Sequence, residues 1–128
     1  MEDLIIEPTA SAPAVTCRWA SRTVELSGES YPENSFVFFS AIIAWIEAAL
    51  QDRGQGLTLN VKLAYLNTSS IKSMIDILEI LERGHGRGQA VAVNWYYDED
   101  NTRAQEVAED FKEDITFPFN VIPVQEKD

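Results

Sequence analysis

Three stretches of this 128-residue chain hold side chains whose types and spacing could do chemistry. Asn67-Thr68-Ser69-Ser70 lines up three hydroxyls behind a carboxamide. Asp98-Glu99-Asp100-Asn101 is acidic enough to suggest a cation, but it lacks the spaced ligands and glycine of a calcium loop. Capping of a following helix by Asp100 or Asn101 is the better reading. Arg83-Gly84-His85-Gly86-Arg87-Gly88-Gln89 precedes a strand and does not open a helix, so it lacks the geometry that cradles phosphates. It reads as a helix C-cap plus loop, with His85 exposed and no second His or Cys nearby to complete a metal site. A Thr68 or Ser69 nucleophile would need a base within reach, and no base motif is recognisable. The expectation is a protein without a catalytic centre, a metal or a cofactor, whose hydroxyls receive chemistry instead of performing it.

The elements flanking those hydroxyls show why. Leu57, Leu59, Val61, Leu63 and Tyr65 alternate with Thr58, Asn60, Lys62 and Ala64, the period of a strand with one buried and one wetter face. From Ile71 the period changes, because Ile71, Met74, Ile75 and Leu78 have helical spacing. Asn67 to Ser70 therefore sits where a strand hands over to a helix. A helix start needs acceptors for its free N–H groups, and Asn, Thr and Ser supply them. The same place carries the positive end of the helix dipole and welcomes a phosphate. Lys72, one turn beyond Thr68, is a cation that could reach it.

The remaining chain supplies the frame. Leu4-Ile5-Ile6 suits a short edge strand, and Val15, Cys17 and Trp19 followed by Val24 and Leu26 suit a hairpin closed by Ala20-Ser21-Arg22. Gly28 to Ser35 reads as a loop, with Asn34 or Ser35 capping a helix from about Phe36 to Gln51. Phe36, Phe39, Ile43, Ile46 and Leu50 form its apolar stripe, widened by Val37, Phe38, Ile42 and Trp45. Such excess implies cover on more than one side, or a patch kept for a partner. Asp52 to Gly56 returns the chain to the central strand. Val91, Val93, Trp95 and Tyr97 share one side of a further strand, with Trp95 and Tyr96 equally suited to core and sheet face. Ala104, Val107, Ala108 and Phe111 mark a third helix, Phe117 to Val124 a last strand whose prolines suit an edge, and 125–128 a frayed tail. Strands alternating with helices imply right-handed crossovers and a largely parallel sheet after the hairpin. Polar Thr58, Asn60, Lys62 and Asn94 leave one face partly uncovered, so the reading is one α/β domain over 1–128: a two-layer sandwich, mixed sheet, helices mainly on one face.

Composition narrows the partners. With 21 acidic against 10 basic residues, the formal charge is −11, which repels nucleic acid and anionic membranes and suits equally a protein partner with a basic patch or a charge that only maintains solubility. A single cysteine excludes an internal disulfide and fits a reducing compartment. No basic N-terminal segment or long apolar run is visible, so the expected setting is cytoplasmic.

Ser-Tyr-Pro-Glu-Asn-Ser at 30–35, Tyr-Leu-Asn-Thr-Ser-Ser-Ile-Lys at 65–72 and Trp-Tyr-Tyr-Asp at 95–98 resemble the SiaC family of regulatory phosphoproteins. More broadly, the strand–Asn-Thr-Ser-Ser–helix junction resembles the STAS domain of anti-sigma-factor antagonists. The resemblance implies a STAS-like fold and phosphorylation of Thr68 by a partner-switching Ser/Thr kinase. It further implies reversal by a PP2C-like, metal-dependent phosphatase, and an unphosphorylated form that binds and activates a diguanylate cyclase, raising cyclic-di-GMP and promoting biofilm or aggregation. Aligned with the general STAS segment, Asn67 replaces the usual acid and the modified residue becomes Ser69. Thr68 therefore ranks first, Ser69 second and Ser70 third. Tyr31, Glu33 and Asn34 of the family-like loop are placed beside the switch by the same resemblance. The alternative function is an anti-sigma-factor antagonist that binds an anti-sigma kinase.

Overall fold

The computed structural model describes residues 2–52 and 55–125. Within them β1 (Leu4–Ile6), β2 (Ala14–Arg18) and β3 (Thr23–Ser30) are followed by α1 (Ser35–Gln51) and β4 (Leu57–Leu66). Then come α2 (Thr68–Gly86), β5 (Val91–Asp98), α3 (Thr102–Lys112) and β6 (Phe119–Val124). The six strands form one sheet in sequence order, β1-β2-β3-β4-β5-β6. The first two pairings are antiparallel and the last three parallel. Because every parallel crossover steps in the same direction, right-handed connections lay all three helices on one face. The two-layer, mixed-sheet arrangement expected from the sequence is the one found.

The core lies between the layers. Val15, Cys17, Val24, Leu26, Leu59, Val61 and Val93 project from the sheet against Phe39, Ile42, Ile46, Met74, Ile77 and Leu81 of α1 and α2. Trp95 is fully buried, its ring 5.1 Å from Phe111 and 6.1 Å from Phe119. Tyr96 lies on the opposite face with Lys62 above its ring, which separates two residues that the sequence left equivalent. On that open face Asn120 donates to Asn94 and Asn94 to Asn60, each at 3.0 Å, across three parallel strands.

Four local readings change. The β2–β3 turn spans Trp19 to Arg22, so Trp19 leaves the strand and packs edge-on against Trp45. Arg22 adopts φ 54°, is buried, lies over the Trp19 ring and bonds both the Ala49 carbonyl and Asp52. It thereby neutralises the C-terminal end of α1. Second, β3 continues to Ser30, three residues into the expected loop, through a register shift at Gly28, whose φ is 114°. Gly28 pairs with Leu63 but Glu29 with Tyr65, so Ala64 is the extra residue of a bulge on β4. The bulge inverts the alternation: Tyr65, read as a core residue, faces outward and Leu66 packs inward. Third, α2 runs through Gly84 to Gly86, because Gly84 lies where a Cβ would crowd Gln89 and Leu50. His85 is consequently half-buried on a helix beside Phe117, and is not an exposed loop residue. Fourth, Phe36, assigned to the apolar stripe, is 80% exposed. The readings that fall on Arg53, Gly54 and the tail 126–128 lie outside the described residues.

Burial pushes the Cys17 thiol from 9.0 up to about 12, with the Asp3 carboxylate adding to the effect. The folded thiol keeps its proton while an unfolded one ionises, so this group's contribution to stability is present below pH 9 and is lost between there and about 12. Iodoacetamide at pH 8 is expected to modify Cys17 only as fast as the domain opens, with full labelling in urea. Mass spectrometry of a labelling time course checks this.

Candidate functional site

The hydroxyl cluster forms where β4 runs into α2 beside the start of α1. Asn67 caps α2, its Oδ1 accepting from the Ser70 amide at 2.9 Å. Asn34 caps α1 in the same manner, accepting from the Val37 amide at 3.1 Å. The two helix starts are tied together by serines. Ser35 Oγ lies 2.8 Å from Ser69 Oγ and 3.3 Å from Ser70 Oγ, and Ser30 Oγ lies 2.8 Å from Ser70 Oγ. Ser69 Oγ also donates to Asn67 Oδ1 at 3.3 Å, and the Asn67 amide donates to the Ser30 carbonyl at 2.9 Å. Two helix N-termini, with their unpaired amides and positive dipole ends, thus converge on one patch.

The three candidate hydroxyls are not equivalent. Ser70 is fully buried, and Ser30 and Ser35 hold its oxygen. Ser69 is exposed, yet its hydroxyl is committed to Ser35 and Asn67. Thr68 is exposed as the first residue of α2 and takes no part in the serine cluster.

The surroundings are apolar. Tyr31 and Tyr65, 41% and 50% exposed, meet edge to face with ring centres 6.1 Å apart. Phe36 and Val37, which follow Ser35 in the first turn of α1, are exposed as well. Glu33 is exposed next to them, while the Asn34 side chain is occupied by its cap. Lys72 pairs with Asp76 at 3.9 Å, one turn away from Thr68. The cation that shares a wall with Thr68 is Arg103 of α3: both line a hollow of about 190 Å³ with Tyr65, Ile71 and Trp95. Among the described residues, Arg103 pairs with the exposed Glu106 at 3.6 Å. Sequence reading named neither Arg103, Ser30, Ser35 nor Phe36 for the site. Arg103 lies 35 residues from Thr68 and gives no local signal; the bare Phe36-Val37 pair in a first helical turn was the signal available.

Nothing here resembles a nucleophilic centre. His85 lies 17 residues along α2 from Thr68, about 25 Å at the rise of a helix. Among the described residues no group of three or more His, Cys, Asp or Glu side chains is placed to hold a metal ion. No helix among them is long and apolar enough to cross a membrane.

An α/β fold presenting an exposed hydroxyl at a helix start, beside an exposed tyrosine, has the make-up of a regulatory binding module. Residues 6–124 match the SiaC family regulatory phosphoproteins. An uncharacterized protein of Pseudomonas aeruginosa (strain UCBPP-PA14) is 46% identical over 121 residues, covering 94% of this chain and 96% of that protein. The crystal structure of apo-SiaC from Pseudomonas aeruginosa superposes with a TM-score of 0.92 at 45% identity, covering 95% of this chain and 99% of that one. SiaC in the crystal structure of the diguanylate cyclase SiaD in complex with its activator SiaC, also from Pseudomonas aeruginosa, gives 0.93 at 45% identity, covering 95% and 100%. The chain belongs to the SiaC family of regulatory phosphoproteins.

Proposed function

We propose that this protein is a non-enzymatic phospho-switch acting in the cytoplasm. In its unmodified form it binds and activates a diguanylate cyclase, raising cyclic-di-GMP and favouring biofilm or aggregation. A partner-switching Ser/Thr kinase phosphorylates Thr68 and a PP2C-like phosphatase restores the free hydroxyl. The observation that carries this reading is the setting of Thr68: exposed, free of the serine cluster, at the positive end of α2 and sharing a hollow with the exposed Tyr65. The SiaC chain at 45% identity is the activator of a diguanylate cyclase, which favours a cyclase over an anti-sigma kinase as the partner.

The physics of the switch is local. A phosphoryl group adds about −1.5 to −2 charge at neutral pH. Free amides at the start of α2 and the Arg103 guanidinium across the hollow can stabilise that charge, so the domain stays folded. A partner seated on the apolar surface would have to bury the same charge, which opposes docking. Ser69 is a poorer acceptor because modification forfeits its bonds to Ser35 and Asn67, and Ser70 is out of reach.

Co-expression with the cognate kinase and cyclase tests the proposal. Peptide mass spectrometry should place the phosphate on Thr68, and the cyclase should co-purify with the unmodified form alone. Phosphate on another residue, or co-purification with both forms, would overturn it.

A further inference from the structure

Next to the hollow beneath Thr68, α2 and α3 leave a gap between them. Their facing sides are apolar: Ile71, Ile75 and Leu78 on α2, and Val107, Phe111 and Ile115 from α3 and the turn after it. Ordinarily two such stripes close on each other. Here they leave an open groove of about 390 Å³, with Ile75 42% exposed at its lip. Glu79 and Glu82 line one bank, Asp110 and Asp114 the other, and Arg103 is the one cation on its wall. Hydrogen bonds from the Thr116 hydroxyl and amide hold the Glu82 carboxyl below the usual carboxylate range, so that bank stays charged at neutral pH. Ile71, Arg103 and Val107 also line the hollow beneath Thr68, which makes groove and hollow continuous.

We propose that the groove between α2 and α3 receives a basic amphipathic helix of a partner protein. The charge selects the occupant, because paired acidic banks attract Lys and Arg while they repel nucleic acid and anionic lipid. The shape selects a helix. From Ile71 to Glu82 the floor runs 11 residues along α2, about 16 Å, which matches three turns of a helix presenting apolar anchors at i, i+3 or i+4, and i+7. Lys or Arg flanking those anchors would meet the banks on both sides. This site is separate from the Phe36 patch and does not depend on phosphorylation of Thr68.

The probe is a fluorescein-labelled synthetic peptide of about 18 residues, roughly 27 Å as a helix, with Leu at the anchor spacing and Lys on both flanks. Controls are a peptide of identical composition with the Leu positions scattered and one with every Lys replaced by Glu. Fluorescence anisotropy should show binding of the first peptide alone, weakening as salt screens the banks. Ile75→Lys and Glu79→Lys change exposed positions, and circular dichroism checks that both variants stay folded. Each should weaken peptide binding at least about ten-fold, while Phe36→Ser leaves it unchanged. Equal binding of the scattered peptide, no binding of the amphipathic one, or undiminished binding by both groove variants would overturn the inference. None of these measurements involves the cyclase or a phosphate, so their failure would leave the Thr68 proposal standing, and the reverse.

Discussion

Phosphorylation of Thr68 is expected to weaken cyclase binding by at least about a hundred-fold, whereas Thr68→Ala binds like the unmodified protein. The size of the effect comes from desolvation. The effective penalty for burying an ion without a partner is several kcal/mol, and about 2.7 kcal/mol already corresponds to a hundred-fold in affinity. Alanine removes a hydroxyl that the serine cluster does not use, so neither fold nor surface should change. Thr68→Asp carries a shorter side chain and about half the charge, and should give a smaller loss in the same direction. Isothermal titration of the cyclase with the phosphorylated, Thr68→Ala and Thr68→Asp proteins measures all three. An unchanged Kd for the phosphorylated form would remove the switch from this site. A loss of stability on phosphorylation would relocate the effect from the surface to the fold, and thermal melting separates the two.

The second large effect concerns Trp95. Trp95→Ala is expected to cost about 3 to 5 kcal/mol, lowering Tm by roughly 10 to 20 °C, because it empties a fully buried site packed against Phe111 and Phe119. Trp95→Phe should behave differently. Among the described residues, the buried indole Nε1 has no hydrogen-bond partner. An orphaned donor costs about 1 to 3 kcal/mol, so phenylalanine loses packing volume while relieving that penalty. Stability within about 1 kcal/mol of the parent is the expected balance. Urea unfolding of the two variants decides: if phenylalanine proves as costly as alanine, the indole N–H is making an interaction that the fold depends on.

The sequence carried the element order because each period was long and its punctuation strong. The nine-residue alternation from Leu57 to Tyr65 and the helical spacing from Ile71 left little freedom, and Asn34, Asn67 and Asn101 all became N-caps. Helices on one face followed from right-handed crossovers, and the polar positions on β4 and β5 marked the uncovered side. Alternation could not show the bulge at Ala64, because a single extra residue leaves its composition intact while turning Tyr65 outward. Gly84 suggested a helix end but serves close packing inside α2. At the site, the candidate hydroxyls were legible from the strand-to-helix junction and the family resemblance. The bonds that set them apart were not, since Ser30 and Ser35 reach Ser69 and Ser70 only through a fold that brings positions about 35 to 40 residues apart into contact. Arg103 was hidden for the same reason.

The file of asparagines on the uncovered face has a bearing on how the parallel strands find their alignment. Asn60, Asn94 and Asn120 hold one another only when β4, β5 and β6 stand at a single offset. A slide by one residue would break both carboxamide contacts and turn each core-facing row toward water. Hydrophobic packing tolerates near-misses between similar aliphatic side chains, but a directional amide pair does not. The row works as a lock on alignment, keeping the β4 terminus, and with it Thr68, at a fixed height above the sheet.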